Sequence, residues 1–431
     1  MICDNLSVNE KGHLTFAGYD TVDLAKKYGT PLYLMDENRI RQNVRAYKKS
    51  MEENLPEGSL PEFASKAFSC KRIYEIMAEE DVDIDVVSTG EIYTAFASGY
   101  PMSRAFFHGN IKTDDDLRYA IDKGVGYIVL DSLDEIFALN EIAKEKGVIQ
   151  KALIRVSPGI DPHTHKKIST GSLDCKFGLG IEDGAAKQAT KAVLDSSNIA
   201  LCGFHCHIGS QIFESEPFVT AAEMMLGFMA DVKESFGYWG DILNLGGGFG
   251  VRYSESEPVI DYFEKIAELA EKLKKLCDKM QVSLPKIHLE PGRSIVADAG
   301  ITLYTVGAVK EIKGHKNYVS IDGGMTDNPR FALYEAAHSV ILASRANEEK
   351  NYRASVAGRC CESGDLIGED YLMARPQRND ILAVLTTGAY NYSMASNYNR
   401  VARPPVVMLT DNGDYVAVKR ETLEDVTKLD V

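Results

Sequence analysis

At 431 residues the chain is long enough for two domains, or for one large barrel with a smaller module. Its 48 basic and 63 acidic residues leave a net charge of −15, which argues against nucleic acid or an anionic membrane surface as a partner. No apolar run is long enough to cross a bilayer, and Met1-Ile2-Cys3-Asp4-Asn5 lacks the basic and apolar regions of a signal peptide. The eight cysteines include no C-x-x-C pair and are too sparse for a disulfide scaffold, so the expectation is a cytoplasmic protein with reduced thiols.

Residues 32–35 read as a strand, and Asp36 then caps a helix whose apolar positions Ile40, Val44, Tyr47 and Met51 recur at helical spacing. From there strand and helix alternate. The predicted strands are 62–65, 83–87, 105–108, 127–130, 152–156, 201–207, 242–245 and 286–289. Between them, Ser88 with Glu91 and Ser132 with Glu135 have capping-box spacing, and Gly99, Gly124 and Gly147 follow the last periodic residues of helices. Further amphipathic runs follow Asp183 and Ser215 and fill 259–279. Eight parallel strands joined by helices close most naturally into a (β/α)8 TIM barrel, whereas an open doubly wound sheet would carry a glycine fingerprint after its first strand, and none is there. Beyond about Gly300 the texture turns β-rich, at 301–312, 318–321, 352–356, 381–385, 406–410 and 415–418. This predicts a C-terminal all-β domain that also takes in the N-terminal strand, with a barrel over 36–290 and a β-rich domain over 1–35 and 291–431.

In a barrel of this kind the active site is built at the C-terminal ends of the strands. The residues expected there are Lys66, Asp85, His108, Arg155, His207, Gly246 to Gly248 and Glu290. Lys66 lies in the apolar run Phe63-Ala64-Ser65-Lys66-Ala67-Phe68; a lysine held in such surroundings loses hydration, which lowers its pKa and suits it to a Schiff base. Taken alone, such a lysine is far more often a surface residue beside a strand. The run Asn244-Leu245-Gly246-Gly247-Gly248-Phe249-Gly250 suits a phosphate, because residues without side chains let backbone N–H groups approach an anion, and Ser210 can add a further donor. Glu290-Pro291-Gly292-Arg293 sets an acid and a guanidinium three residues apart; a carboxylate facing a pyridine nitrogen would keep that nitrogen protonated and make the ring an electron sink. His205 and His207 share a strand face, but a metal site would need His163 and His165, or Cys360 and Cys361, to complete it, and neither pair has zinc spacing. No metal is expected. An imidazole stacked on a flat cofactor suits His207 better.

Phe63-Ala64-Ser65-Lys66-Ala67, His205-Cys206-His207-Ile208-Gly209-Ser210-Gln211, the triple glycine, Glu290-Pro291-Gly292-Arg293, Cys361-Glu362-Ser363-Gly364-Asp365 and Gly388-Ala389-Tyr390 stand in one order along the chain. That order resembles the barrel-type, fold type III pyridoxal-phosphate-dependent decarboxylases over nearly the whole length. Ser169-Thr170-Gly171 with Lys176-Phe177-Gly178, and Arg330 with Tyr334, resemble the family too, while Phe63 and Phe68 stand where tyrosine and asparagine are frequent. The resemblance implies pyridoxal 5'-phosphate as cofactor and decarboxylation of meso-2,6-diaminopimelate to L-lysine, the last step of lysine biosynthesis. The alternatives are a decarboxylase of another basic amino acid or of carboxynorspermidine, or a non-catalytic pyridoxal-phosphate-binding regulator.

Carried over by residue, the resemblance implies that Lys66 is the Schiff-base lysine, that His207 stacks on the ring and that Asp85 belongs to the cofactor site. Ser210, Gly246, Gly247, Gly248 and Tyr390 would hold the phosphate or its surroundings, and Glu290 would meet the ring nitrogen, with Pro291, Gly292 and Arg293 beside it. Arg293, Arg330, Tyr334 and Tyr390 would bind substrate, Glu362 would receive its distal amino group and Cys361 would be the general acid. Cys361 and Glu362 are implied to come from a second subunit, which makes a homodimer with shared active sites. The residues agree on substrate charge: a distal carboxylate wants the guanidinium fork of Arg293 and Arg330, and Glu362 suits the neighbouring ammonium.

Overall fold

A computed structural model describes residues 1–159 and 175–431; His163, His165 and Ser169-Thr170-Gly171 lie outside the described residues. Between Leu60 and Leu289 the short apolar runs become eight parallel strands: Leu60–Ala64, Asp83–Val86, Ala105–Phe107, Tyr127–Leu130, Gln150–Ser157, Ile199–His205, Ile242–Asn244 and Lys286–Leu289. Each pairs with the next, and His288 of the last pairs with Leu60 of the first, so the sheet closes into a (β/α)8 barrel. The barrel belongs to one compact unit, Asn43–Gly250 with Ile260–Gly292, and the second unit is Met1–Gln42, Val251–Val259 and Arg293–Val431.

Apolar periodicity turns into burial where it was read. In the helix Glu37–Asn54, Ile40, Val44, Tyr47 and Met51 are fully buried, and Asp36 accepts the Arg39 N–H at 3.0 Å as its cap. The Ser88 and Ser132 hydroxyls each accept an N–H three residues on, at 3.2 Å, but neither box closes in the reciprocal direction. Glu91 reaches past Ser88 to the Val87 N–H at 2.7 Å, and Glu135 is drawn instead into a buried ion pair with Lys112 at 2.6 Å.

Several barrel strands end earlier than predicted. The first stops at Ala64 and passes into a single tight turn, Ser65–Ala67; the third stops at Phe107; the sixth stops at His205. Beyond His205 the Cys206 N–H stays on the ladder, donating to Asn244 O at 2.8 Å, before the chain turns away with Gly209 at φ 153°. These turns carry the polar residues out of the sheet and onto the rim.

In the second unit, strands run in the order Leu366–Met373, Tyr352–Ala357, Tyr318–Ile321, Gly300–Lys310, Leu32–Asp36, Val406–Thr410 and Gly413–Val418. The N-terminal strand thus sits inside this sheet. Strand alternation sends Ile301 and Leu303 to one core with Leu32, Leu34, Val407 and Leu409, and Tyr304 and Val306 to another with Val319, Ile321 and Val356. Leu366–Met373 and Val340–Leu342 were not among the predicted strands. The first carries Gly368, Glu369 and Asp370, with Asp370 at φ 57°, and lacks the β-branched run that marks a strand, while the second, though it opens on Val340 and Ile341, is only three residues long.

Candidate active site

Burial gathers an acid and two imidazoles at the C-terminal end of the barrel. Glu290, one residue past the eighth strand, is 6% exposed. Its Oε1 accepts an N–H from Asn244 Nδ2 at 2.8 Å and lies 3.1 Å from His205 Nε2 and 3.3 Å from His108 Nε2. The two rings meet edge to face with centroids 4.9 Å apart. Burial pushes both imidazoles below their usual range, against the pull of Glu290. Burial alone would raise Glu290, but the surrounding imidazoles, His205 first, hold its carboxyl well below the usual carboxylate range; it is the anion of the cluster.

Deeper in the barrel, Glu62 on the first strand is fully buried, 3.1 Å from Asn244 Nδ2 and 2.7 Å from His288 Nδ1. Burial, then Glu290, pushes Glu62 far up, and burial takes His288 down to about 4. Asp85 on the second strand is 2% exposed, is pushed up by burial and Glu290 against the pull of Lys66, and its Oδ1 has no hydrogen-bond partner among the described residues. Lys66 itself is exposed, contrary to the desolvated position its sequence suggests. The turn after the first strand gives the buried positions to Ser65 and Ala67 and leaves the lysine between them open to solvent. His207 is half-buried and pushed well down by burial, then by Lys66 and Arg155, so Lys66, Asp85, His207, Arg155 and Glu290 share one electrostatic neighbourhood.

The glycine turn after the seventh strand fits only residues without side chains. A Cβ on Gly246 would stand 2.6 Å from Cys206 O, one on Gly247 would stand 2.0 Å from Glu290 O, and one on Gly248 would stand 2.3 Å from Gly209 O. The turn ends at Phe249, whose ring stacks on Phe218 at 4.5 Å and meets Tyr47 edge-on at 5.7 Å. Asn244 Oδ1 accepts the Gly246 N–H at 2.8 Å, whereas the N–H groups of Gly247 and Gly248 have no acceptor among the described residues. Two adjacent amides in that state form an anion cradle. Ser210 lies half-buried beyond the sixth strand, and Gly292 packs so closely on the first strand that a Cβ there would stand 2.9 Å from Ala64 Cβ. The Pro291 carbonyl accepts the Ala64 N–H at 3.2 Å.

The β-rich unit holds a second polar group. Arg293 donates to the Tyr253 hydroxyl at 2.6 Å and stacks on Tyr390 at 4.7 Å, while Arg330 lies 4.6 Å over the Tyr253 ring. Arg330 is 7% exposed, and its Nη1 has no hydrogen-bond partner among the described residues. Burial and the neighbouring Arg293 pull Arg330 down, and burial and Arg330 keep nearby His338 neutral. Tyr334 closes the short helix Arg330–Tyr334 and is half-buried. Cys361 and Glu362 are exposed on a loop tied by Asp365, which is buried and accepts the Met325 N–H at 2.6 Å and the Cys360 N–H at 2.7 Å. Asn399 accepts the Cys361 N–H at 2.8 Å.

Glu62, His288, Asn244 and Tyr253 were not read as site residues from sequence. Glu62 and His288 sit within strands rather than past their ends, Asn244 is the last residue of the seventh strand and figured only as the start of the glycine run, and Tyr253 lies in a stretch with no motif. The metal reading paired His205 with His207; the structure groups His205 with His108 and Glu290 instead, their ligand atoms within 4.8 Å of one another.

An anion fixed at the end of the eighth strand, beside two acceptor-free amides on the seventh, asks for a ligand with a cationic ring nitrogen and a phosphate. Pyridoxal phosphate has both. The family described as pyridoxal-dependent decarboxylase, pyridoxal binding domain, matches residues 37–297, which sets the class of this barrel. Diaminopimelate decarboxylase of Bacillus subtilis is 44% identical over 98% of this chain and 96% of its own, and that of Staphylococcus aureus is 43% identical over 96% and 97%. A crystal structure of diaminopimelate decarboxylase from M. jannaschii in complex with L-lysine superposes with a TM-score of 0.91 at 35% identity, covering 99% of this chain and 98% of that one. At that identity and coverage the chain belongs to the diaminopimelate decarboxylase family.

Proposed function

We propose that the chain catalyses pyridoxal-phosphate-dependent decarboxylation of meso-2,6-diaminopimelate to L-lysine and carbon dioxide. The observation that carries this is Arg330, a buried guanidinium with Nη1 unpartnered beside Arg293. A cation in that condition calls for a carboxylate, and the distal carboxylate of diaminopimelate supplies one where ornithine, arginine and lysine do not.

When bound, pyridoxal phosphate supplies an aldehyde for attachment of an amino group and an electron-poor ring that accepts the electrons left as carbon dioxide departs. Lys66 is the attachment point. Glu290, the charged member of its cluster, keeps the ring nitrogen protonated, and the neutral imidazole of His207 offers a face for stacking, with Asp85 beside them. Gly247 and Gly248 donate N–H groups to the phosphate, Gly246, Ser210 and Tyr390 complete its surroundings, and Pro291 and Gly292 hold Glu290 against the first strand. Arg293, Arg330 and Tyr334 orient substrate, Glu362 accepts its distal ammonium, and Cys361 Sγ delivers the proton that replaces carbon dioxide. The barrel, 36–290, serves the cofactor, and the β-rich domain, 1–35 and 291–431, serves substrate and dimer contacts. The working form is a cytoplasmic homodimer in which the exposed Cys361–Glu362 loop of each subunit completes the site of the other.

The test is release of carbon dioxide and L-lysine from meso-diaminopimelate by protein supplied with pyridoxal phosphate, with ornithine, arginine and lysine assayed alongside. Lys66→Ala is expected to abolish turnover, and Cys361→Ala to lower it by about 10²–10⁴-fold. Turnover of a simple diamine acid instead of diaminopimelate would overturn the substrate reading, and a fully active Cys361→Ala would overturn the acid.

A further inference from the structure

We propose that Asn244 is a positioning residue that locks Glu290 to the glycine turn, and that Glu62, sharing one proton with His288, is the uncharged anchor that fixes its amide. The orientation of that amide follows from its neighbours. The Gly246 N–H can only donate, so the Asn244 atom 2.8 Å from it is the carbonyl oxygen, and the NH2 group faces the other way. There it meets Glu290 Oε1 at 2.8 Å and Glu62 Oε1 at 3.1 Å. One side chain therefore ties the turn proposed for the phosphate to the acid proposed for the ring nitrogen.

Two carboxylates sharing one NH2 group in the barrel interior cannot both be ionised. The imidazole of His288 donates to the Gly58 backbone, and a neutral ring has only one N–H, so its Nδ1, 2.7 Å from Glu62 Oε1, is an acceptor. Glu62 then carries the proton and donates it, while a lone pair of the same oxygen accepts from Asn244. Glutamine in this position could not do both at one atom: an amide nitrogen only donates and an amide oxygen only accepts. The other groups facing Glu62 agree. Glu290 beyond the eighth strand and Asp83 and Asp85 on the second oppose a negative charge on it, and His108 after the third strand, pushed well down by burial, is 4.0 Å from Glu62 Oε2. Were Glu62 to ionise, a second anion would lie beneath Glu290, and the Asn244 amide would be divided between two charges.

This inference rests on the cofactor reading of the barrel, and titration of pyridoxal phosphate into the apoprotein, followed by the cofactor's absorbance from pH 6 to 10, separates the two. Failure of the wild-type protein to bind overturns the cofactor reading itself. With wild-type binding intact, Asn244→Ala is expected to weaken affinity by about 30-fold or more through loss of hydrogen bonds to both the turn and a charged acid. Glu62→Ala is expected to weaken it about tenfold, whereas Glu62→Gln, uncharged and keeping one of the two hydrogen bonds, stays within about fivefold. Wild-type affinity is expected to fall toward alkaline pH as Glu62 loses its proton, and that limb should be flattened in Glu62→Gln. If Asn244→Ala does not fold, Asn244→Asp serves, since it keeps the shape and removes the donors. Wild-type-like binding by the Asn244 variant, a Glu62→Gln variant as weak as Glu62→Ala, or an alkaline limb unchanged by Glu62→Gln would each overturn the proposal.

Discussion

Replacing Asp327 by asparagine should change how the stability of the protein depends on pH. Asp327 is 1% exposed; the Tyr304 hydroxyl donates to its Oδ1, and the Gly324 N–H and Thr326 hydroxyl donate to its Oδ2 at 3.2 and 3.3 Å. No cation stands within ion-pair distance of it among the described residues. Burial therefore wins over the hydrogen bonds and pushes its carboxyl from 3.8 to about 7. Because the folded value lies above the unfolded one, the native state holds a proton between these limits that the unfolded chain has lost. Stability is fully present below pH 4, falls by about 1.4 kcal/mol per pH unit up to pH 7 and is level beyond, for a total of about 4 kcal/mol. Asparagine cannot titrate, so its cost through the altered hydrogen bonds is the same at every pH. Urea denaturation of the two proteins at one protein concentration, at pH 5 and pH 8, should show the gap between them move by about 3 kcal/mol in favour of Asp327→Asn. Parallel pH profiles would refute the reasoning, since they would mean that Asp327 is ionised in the folded protein throughout.

Two further outcomes follow from buried charge. Arg330→Met should raise KM for meso-diaminopimelate by about 10- to 100-fold through loss of a charged hydrogen bond, yet leave Tm level or higher, because it removes a buried cation whose Nη1 has no partner; a fall of several degrees in differential scanning fluorimetry would mean that Arg330 is structurally paired. Glu135→Leu should destabilise the barrel by about 3–5 kcal/mol, since it strands the Lys112 ammonium, fully buried 2.6 Å from that carboxylate. Adding Lys112→Met should restore most of the loss in urea denaturation, and equal losses in the single and double variants would place the cost in packing rather than charge.

The barrel was legible because its signals are local. Alternation of short apolar runs with helical periods depends on neighbours a few residues away, and the same signals placed Ile40, Val44, Tyr47 and Met51 on a buried face. What was missed lacks such signals. Leu366–Met373 is interrupted by Gly368 and by Asp370 in a left-handed conformation, and it is a strand because Tyr352–Ala357 pairs with it. The capping boxes were half right for a related reason: the serine half is local, but Glu135 answers to Lys112, which lies 23 positions earlier in the chain.

The candidate site divides along the same line. Residues in motifs, such as Lys66, the glycines and Glu290, could be picked out because a turn after a strand is itself a pattern. Glu62 and His288 could not, because each occupies an ordinary inward position of a strand, and their meaning arises only when closure of the barrel brings the first strand against the eighth. Asn244 is 182 positions from Glu62 and yet hydrogen-bonds to it. Residue type still carried a usable hint: a glutamate within an otherwise apolar strand must either face solvent or find a partner, since an unpaired buried carboxylate is too costly to keep. Strand alternation puts Glu62 on the face opposite Phe63, and the parity of the eighth strand puts His288 and Glu290 on one face. Parity sets His288 beside Glu290 and Glu62 apart from Phe63, but it is the pairing of strands that brings the three together and makes one of them a neutral acid and another an anion.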